Sequence, residues 1–346
     1  MMSSNTTETP NMAQPTAQPR FDVLAIGNAI VDIIGRCDDA FLARFDAPKG
    51  HMLLVEEPTI LEIYNAMGPA VEISGGSAAN TVAGLASLGG SAAFIGKVAK
   101  DTFGEIFAHD IRAIGVAFDT PAADGPTPTA RSLILVTPDG QRTMNTFLGV
   151  SPELDRGAIG KETVQAAGIT YLEGYLFDRD AAKAAFEAAA GFARDAGRKV
   201  ALTLSDGFCV DRHRDAFLGL IKKDIDILFA NEDEICSLYQ TSSFDNAAKC
   251  IAQDAELAVL TRSEKGSVVL SGSDRSTVEA YPVAEVVDTT GAGDLFAAGF
   301  LFGYSRGFDN ARSARLGALA AAEIISHVGA RPEADLKKLA IDKGLI

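Results

Sequence analysis

Short apolar runs, rich in β-branched residues, alternate along the chain with longer Ala-rich stretches of helical periodicity. The apolar runs predict buried strands at residues 21–27, 92–96, 169–173, 199–204, 225–230 and 257–261. The longer stretches predict helices, most clearly at residues 77–88, 102–114, 181–196, 292–304 and 310–327. Strands and helices that alternate in this way form right-handed crossovers and a mainly parallel sheet covered on both faces. The sequence therefore predicts a doubly wound α/β fold.

Two segments, residues 29–57 and 119–150, depart from this alternation. Both have the pattern of strands and hairpins without intervening helices, and the turn sequence Pro138-Asp139-Gly140 lies in the second. We expect them to form a small β lid over a pocket at the carboxyl ends of the main strands, where ligands of open α/β sheets bind. An exposed lid sheet can also pair with a second copy, so we expect either a monomer or a lid-mediated homodimer.

The length of 346 residues allows one large domain, which we place at residues 20–340. Residues 1–19 are rich in Ser, Thr, Asn, Gln and Pro, and are predicted to form a disordered tail. The sequence has neither a secretory signal nor an apolar stretch of the ~20 residues that span a bilayer. We therefore expect a cytoplasmic protein without a membrane partner.

The charge and the cysteines exclude further classes. A net charge of −15 opposes binding to a nucleic acid polymer, whose phosphates attract Lys and Arg clusters. A small anion can still bind, because backbone N–H groups are enough to hold a phosphate. The four cysteines show neither CxxC spacing nor a nearby His pair, which favours reduced and mostly buried thiols over a zinc site or disulfides.

One loop carries the chemistry: Asp288-Thr289-Thr290-Gly291-Ala292-Gly293-Asp294 follows a strand-like run at residues 284–287 and precedes a helical pattern. On such a strand-to-helix turn, the two glycines leave N–H groups free at the positive end of the helix, where anions bind. The Asp294 carboxylate would compete with a phosphate there. The conflict disappears if Asp294 takes the proton of an attacking hydroxyl while the N–H groups stabilise a γ-phosphate. The alternative is that Asp294 only caps the helix.

Two commoner phosphate-binding motifs are absent from the sequence. No stretch matches the Walker A pattern, and the dinucleotide fingerprint GxGxxG requires Gly where this loop has Phe296. The first strand ends in Gly27-Asn28-Ala29-Ile30 rather than in that fingerprint, which argues against a dinucleotide-dependent oxidoreductase.

The loop resembles the C-terminal signature DTxGAGD of the ribokinase or PfkB family of carbohydrate and nucleoside kinases, without a gap. In that family the final Asp is the catalytic base and the GAG backbone is the anion hole. The resemblance therefore implies these roles for Asp294 and for Gly291, Ala292 and Gly293. It extends over about residues 21–331, and it implies ATP as the phosphoryl donor and Mg²⁺ as the metal.

Two further stretches resemble the family's acceptor site: Gly75-Gly76 with Asn80 at the start of a helix, and Asn28 with Asp32 in an otherwise apolar run. The resemblance implies that the glycines let the backbone approach a sugar. It also implies that Asn80 bonds a ribose-type hydroxyl and that Asp32 grips two adjacent hydroxyls. Without a ligand, the glycines form a tight turn, Asn80 is satisfied locally, and Asp32 forms a salt bridge with an Arg.

The nucleotide side matches shorter motifs. Asn231 and Glu234 match NxxE, which in the family arranges Mg²⁺ and phosphate largely through water, but the same spacing makes a capping box. Thr261 and Gly266 match a strand-end loop that contacts ATP in relatives, and this stretch also suits a β-hairpin turn. Two further positions match a monovalent-cation site of many relatives and make K⁺ a candidate activator: Asp288 and Thr290.

The predicted lid carries residues 50–56 and 142–149, which resemble bacterial members usually called adenosine kinases. Met52 and Phe147 could sandwich a flat base, and Arg142 could approach the phosphates or the acceptor. The alternatives are lid core for the apolar residues and a solvated strand end for Arg142.

Three hypotheses follow from these patterns. The leading one is a kinase that transfers the γ-phosphate of ATP to a primary hydroxyl of a ribonucleoside, foremost adenosine. The second is a sugar kinase acting on ribose, fructose or a keto-deoxy sugar acid. A dinucleotide-dependent oxidoreductase or a non-catalytic sensor on the same fold forms the third, against which the missing fingerprint and the intact Asp294 both argue.

Overall fold

A computed structural model of the protein describes residues 18–346. Residues 1–17 of the predicted N-terminal tail lie outside the described residues. The strands are β1 (Phe21–Ile26), β2 (Ile30–Arg36), β3 (Met52–Leu54), β4 (Ala70–Gly75), β5 (Ala92–Ile95), β6 (Val116–Ala117), β7 (Ala130–Val136), β8 (Arg142–Phe147), β9 (Ala167–Glu173), β10 (Lys199–Thr203), β11 (Ile227–Asn231), β12 (Leu257–Thr261), β13 (Ser267–Ser271) and β14 (Asp274–Val278).

The helices are α1 (Asp39–Arg44), α2 (Glu57–Ala66), α3 (Ser77–Ser87), α4 (Thr102–Ala113), α5 (Lys161–Gln165), α6 (Asp180–Asp195), α7 (Gly207–Asp224), α8 (Glu232–Leu238), α9 (Phe244–Asp254), α10 (Ala292–Ser305), α11 (Asn310–Ile324) and α12 (Leu336–Asp342).

Nine strands form the main sheet in the order β14-β13-β12-β11-β10-β9-β1-β5-β6. The pairs from β6 to β12 are parallel, and β13 and β14 add an antiparallel edge. Each face has its own core: Val23 and Ala25 of β1 point to one, and Leu24 and Ile26 to the other. Helices α3, α10 and α11 cover the first face, whereas α6, α7 and α9 cover the second. The predicted doubly wound α/β fold is confirmed.

Five strands form a second sheet in the order β3-β8-β7-β2-β4. Strand β4 (Ala70–Gly75) belongs to it although it lies outside both segments of the predicted lid, and it pairs antiparallel with β2. The expectation that these segments lack helices is wrong, because α1 lies between β2 and β3. Asp38 caps α1 by accepting a hydrogen bond from the Phe41 N–H at 2.8 Å, which stabilises a helix too short to show a clear period.

The predicted strand at residues 284–287 is also wrong. This run has no regular structure and leaves Val286 and Val287 exposed; Val287 makes one backbone hydrogen bond, to the Ile325 carbonyl at 2.8 Å. Its β-branched residues have the pattern of a strand, but no strand within residues 18–346 pairs with it. The signature loop is therefore reached from a coil rather than from a strand.

None of the described helices is long and apolar enough to cross a membrane. All four cysteines are free thiols, but the expectation that most are buried is wrong: only Cys209 is buried, and Cys250 is exposed.

Candidate active site

A pocket of about 360 Å³ opens between the two sheets, at the carboxyl ends of β10, β11 and β12. In doubly wound folds this edge of the sheet is the general place for ligands. Several residues singled out from the sequence line the pocket: Asp32, Gly76, Asn80, Asn231, Glu234, Thr261, Thr290, Gly291, Ala292, Gly293 and Asp294. Residues far apart in the chain thus meet around one cavity.

Asp294 lies in the first turn of α10 but does not cap that helix. The N-cap is Gly291, and no side chain caps the N-terminus. Oδ1 of Asp294 instead accepts a hydrogen bond from the Ser77 hydroxyl at 2.6 Å, and Oδ2 accepts one from the Asn80 amide at 3.0 Å. Burial raises the pKa of Asp294 above its ordinary value. The carboxylate is thus held by α3 and faces the pocket, as a proton acceptor should.

The loop before Asp294 supplies hydrogen-bond donors. Gly291 has a left-handed φ of 78°, which turns the chain into α10. Gly293 and Asp294 lie in the first turn of the helix, where N–H groups have no intrahelical acceptor. A Cβ placed on Gly293 would meet no heavy atom within 4 Å, so this side of the loop is open. The loop and the helix dipole together form a site suited to an anion.

Asp32 of β2 projects from the second sheet into the same pocket. A Cβ added to Gly75 would lie 2.3 Å from Cγ of Asp32, so only glycine leaves room for this carboxyl group. Burial raises the pKa of Asp32 to about 6, against the opposing charges of Arg331 and Arg142. Among the described residues Asp32 forms no salt bridge within 4.0 Å. The carboxylate is therefore available to a ligand.

Gly76 links the two motifs of the acceptor side. Its φ is 98°, and a Cβ there would lie 2.3 Å from the Asn28 carbonyl oxygen. Asn28 itself is buried and lies outside the pocket lining, contrary to the expectation that it contacts the substrate. Its amide donates to Glu173 at 2.7 Å and its Oδ1 accepts from Ser151 at 2.9 Å. Asn28 therefore holds the turn between β1 and β2 in place beneath the pocket.

Glu173, at the end of β9, is the centre of that support. It is 1% exposed and accepts hydrogen bonds from the backbone N–H groups of Asn28, at 3.2 Å, and Ala78, at 2.9 Å. Burial raises the pKa of Glu173 to about 7. This carboxyl group joins the end of β1 to the start of α3, and so fixes the two segments that bear Asp32 and Asn80.

Arg331 stabilises the connection between β4 and α3. Its guanidinium donates to the Ser74 carbonyl at 3.0 Å from Nε and to the Ala79 carbonyl at 2.7 Å from Nη1. Ser74 also donates from its N–H and hydroxyl to Asp110, at 2.8 and 2.6 Å. Burial lowers the pKa of Arg331 to about 10, while the charges of Asp32, Asp110 and Asp294 oppose this shift. The Arg331 cation thus balances the carboxylates around the pocket.

The second sheet contributes one face to the pocket. Thr146 and Met144 of β8 and Ile134 of β7 line it, together with Ile30 and Ser132. Phe147 faces the opposite side of β8, as the two-residue period of a strand requires, and packs against the core. Met52 is 45% exposed and does not line the pocket. The expected base sandwich of Met52 and Phe147 is therefore wrong.

Arg142 is not a solvated strand end. It is buried, and its Nη1 forms an ion pair with Oδ2 of Asp288, which is buried as well. Asp288 also accepts the N–H of Thr290 at 3.0 Å and that of Gly329 at 2.9 Å. Neither Arg142 nor Asp288 lines the pocket, whereas Thr290 does. The ion pair joins the second sheet to the base of the anion-binding loop.

On the nucleotide side the structure contains the capping box. Asn231 Oδ1 accepts the Glu234 N–H at 2.8 Å, and the two Glu234 oxygens accept the Asn231 N–H at 2.9 Å and its amide at 2.7 Å. Burial raises the pKa of Glu234 to about 7. Gly266 closes the turn of the β12–β13 hairpin with φ 79° and lies outside the pocket lining, unlike Thr261 at the end of β12.

The donor set around Glu234 fits a Mg²⁺ ion held mainly by phosphates and water. Both oxygens of Glu234 already accept hydrogen bonds, so the carboxylate would reach the ion through water. No group of three or more His, Cys, Asp or Glu side chains in residues 18–346 is arranged to hold a metal by itself.

Several site residues were not found from the sequence. Ser77 lies inside the Gly75–Asn80 motif and was overlooked although its hydroxyl reaches Asp294. Tyr175 and Ser205 line the pocket after β9 and β10, and their place after two predicted strands was the available signal. Glu173 also ends a predicted strand. For Arg331 the sequence offered no signal beyond its position at the end of the matching region.

Residues 65–336 match the model of the pfkB family carbohydrate kinases. The chain belongs to this family.

Relatives of this pfkB-family kinase include both nucleoside and sugar kinases. A solved structure described as adenosine kinase from Sinorhizobium meliloti is 52% identical, with a TM-score of 0.87, covering 94% of this chain and 99% of that one. Another, described as a probable sugar kinase protein from Rhizobium etli, is 50% identical, with a TM-score of 0.88, covering 95% and 100%. An uncharacterized sugar kinase of Archaeoglobus fulgidus is 30% identical over 250 residues, which are 72% of this chain and 96% of the relative.

Family membership establishes the reaction class. The kinase is a phosphotransferase with an alcohol group as acceptor, and its family implies ATP as donor and typically Mg²⁺. Its acceptor is a small molecule of the nucleoside or sugar type.

Proposed function

We propose that this kinase transfers the γ-phosphate of ATP to the primary 5′-hydroxyl of a ribonucleoside, with adenosine as the leading acceptor. The observation that carries the proposal is the position of Asp294: it lines one pocket together with the open loop of Gly291 to Gly293 and the Asp32 carboxylate of the second sheet. Asp294 can take a proton, the loop can hold a phosphate, and Asp32 can hold a sugar.

Asp294 acts as the general base in this proposal. Its raised pKa makes it a better proton acceptor than an ordinary carboxylate, and the hydrogen bonds from Ser77 and Asn80 hold it in one orientation. The N–H groups of Gly291 and Gly293 are placed to stabilise the charge that develops on the transferred phosphoryl group, whereas the Ala292 N–H donates to the Thr289 carbonyl at 3.2 Å. Mg²⁺, when bound to ATP near Glu234, would neutralise phosphate charge.

Asp32 and Asn80 grip the sugar. The Asp32 carboxylate can accept two hydroxyl hydrogen bonds from a vicinal diol. Asn80 Oδ1 is buried and has no hydrogen-bond partner within residues 18–346, so a ligand hydroxyl would satisfy it.

The apolar face of the second sheet supports a nucleoside rather than a free sugar. Ile30, Ile134 and Met144 line the pocket on the side of Asp32 and offer a surface on which a flat base can pack. The second sheet acts as a lid: it covers the pocket and excludes water when substrates are bound. The 52% identity to the Sinorhizobium meliloti protein supports adenosine in particular.

A sugar kinase is the second candidate, favoured by the 50% identity to the Rhizobium etli protein. ATP consumption with Mg²⁺ across adenosine, inosine, ribose, fructose and 2-keto-3-deoxygluconate separates the two. We expect the highest kcat/KM with adenosine. Turnover confined to a free sugar would contradict the nucleoside proposal and leave the role of Asp294 intact, whereas no turnover with any of them, under conditions in which ATP binds, would contradict both.

A further inference from the structure

The Asp288 carboxylate, at the base of the anion-binding loop, is enclosed on all sides that the structure describes. It is 8% exposed. Oδ1 accepts the Thr290 N–H at 3.0 Å, and Oδ2 accepts the Gly329 N–H at 2.9 Å and the guanidinium of Arg142. Asp288 thus fixes the backbone of the loop whose next residues, Gly291 to Gly293, face the pocket.

Arg142 reaches this position from the second sheet. It lies on β8 two residues before Met144 and four before Thr146, so all three side chains leave the same face of the strand. Met144 and Thr146 line the pocket, and Arg142 extends past it to Asp288. The Arg142 side chain is 5% exposed, and its Nε and Nη2 have no hydrogen-bond partner in the part of the chain that is described.

This arrangement does not fit a metal cation at Asp288. A buried carboxylate requires a compensating positive charge, and Arg142 already provides one in direct contact. A K⁺ ion on the same carboxylate would lie beside the positively charged guanidinium of Arg142. The two cations would repel each other in a site with little water.

We propose that Arg142 takes the place of a monovalent cation at Asp288, so that phosphoryl transfer by this chain does not depend on K⁺. The proposal rests on the proposed function, in which the loop after Asp288 binds the phosphate. Arg142 is a positioning residue: it touches neither substrate nor phosphate, and acts through Asp288 on the N–H groups of the loop.

Removing the charge of Arg142 should make phosphoryl transfer depend on K⁺. In Arg142→Met the Asp288 carboxylate stays buried without its counter-charge, and the vacated space lies beside a negative charge. A K⁺ or NH₄⁺ ion can then bind there. Arg142→Lys keeps the charge on a side chain of similar reach, so it should resemble the wild type more than the Met variant does.

The experiment measures turnover with ATP and the best acceptor in N-methylglucamine chloride and in KCl of equal ionic strength. We expect the wild type to show the same kcat in both salts. Arg142→Met should lose on the order of ten-fold or more in kcat without K⁺, because the anion-binding loop is less well ordered, and should recover most of it with K⁺. Arg36→Met is the matched control, since Arg36 is exposed and its backbone pairs with Val136 in the same row as Arg142.

Melting temperatures in the same two salts supply a second readout that needs no turnover. K⁺ should raise the melting temperature of Arg142→Met and leave that of the wild type and of Arg36→Met unchanged, because only a bound ion stabilises the folded state. Strong K⁺ activation of the wild type, or an Arg142→Met variant that is folded but indifferent to K⁺ in both readouts, would overturn the inference. Absence of turnover in the wild type with every acceptor would instead count against the proposed function. The melting temperatures would still show whether K⁺ binds to the Arg142→Met variant and not to the wild type.

Discussion

The amide of Asn80 donates a hydrogen bond of 3.0 Å to Oδ2 of Asp294, across 214 residues of sequence. The donor lies in the second turn of α3 and the acceptor in the first turn of α10, and these helices pack side by side over the same face of the main sheet. The residue proposed to hold the sugar therefore also orients the residue proposed to take its proton. The proposed function therefore couples acceptor binding and proton transfer through one contact.

Asp294→Asn tests the base directly. The amide keeps the shape and can still accept from Ser77 or Asn80, but it cannot take a proton, so we expect kcat to fall on the order of 10²- to 10⁴-fold with little change in KM. Stability should not fall: the raised pKa means that the folded state disfavours the Asp294 anion at neutral pH, and Asn removes this cost. Steady-state kinetics and a melting curve check both statements; near-normal turnover would exclude the role of base.

Asp32 should make acceptor binding depend on pH. Its pKa of about 6 lies above the ordinary value, so the carboxylate proposed to accept two hydroxyls is lost as the pH falls through about 6. We expect the Kd of the acceptor, measured by calorimetry without ATP, to rise from pH 8 to pH 5. Asp32→Asn should weaken acceptor binding on the order of 10- to 100-fold at pH 8 and remove most of this pH dependence. An unchanged Kd for ATP is the control, and a defect confined to ATP would show that Asp32 has been assigned to the wrong substrate.

Glu173 should make stability depend on pH. Its folded pKa of about 7 exceeds that of an unfolded glutamate, so the folded state binds the extra proton between about pH 4.5 and 7. Stability from this group is therefore highest at the acid end of that window and falls as the pH rises through 7.

The matching experiment uses Glu173→Gln, which is neutral at every pH but cannot accept from both Asn28 and Ala78. We expect a smaller fall in melting temperature between pH 5 and pH 8 than in the wild type. Glu162→Gln, at an exposed position, should retain the full fall. The hypothesis fails if Glu173→Gln and the wild type have parallel profiles.

Arg331 should affect both stability and the titration of Asp32. Arg331→Met leaves the Ser74 and Ala79 carbonyls without their donor and removes a buried charge, which we expect to cost about 3 kcal/mol in the free energy of unfolding. Arg331 opposes the rise in the pKa of Asp32, so its loss should move the pH midpoint of acceptor binding upward. A purely structural residue would lower the melting temperature and leave that midpoint unchanged.

The sequence allowed the main sheet, the principal helices and the signature loop to be predicted because each depends on local patterns. Strand β1 is apolar except for Asp22, and the loop before Asp294 combines glycines with a helix start. The contacts that finish the site are not local. Arg142 and Asp288 are 146 residues apart, and no pattern indicates that they pair.

The face of a strand also cannot be read from alternation alone. The period of β8 shows that Thr146 and Phe147 point to opposite sides, but not which side covers the pocket. That choice depends on how the second sheet packs against the main one. The chemistry of Met52 and Phe147 predicts that they contact a base, but the packing places Met144 and Ile134 in the pocket lining instead.

The 2.3 Å separation between Cγ of Asp32 and a Cβ at position 75 constrains how this enzyme can be altered. A larger residue at position 75 has no space while Asp32 is present, and shortening Asp32 alone leaves a gap where the sugar is proposed to bind. A larger residue at position 75 therefore requires a simultaneous shortening of the side chain at position 32. A mutational library that varies one position at a time will miss such a pair of substitutions. A library that varies positions 32 and 75 together can explore new acceptors.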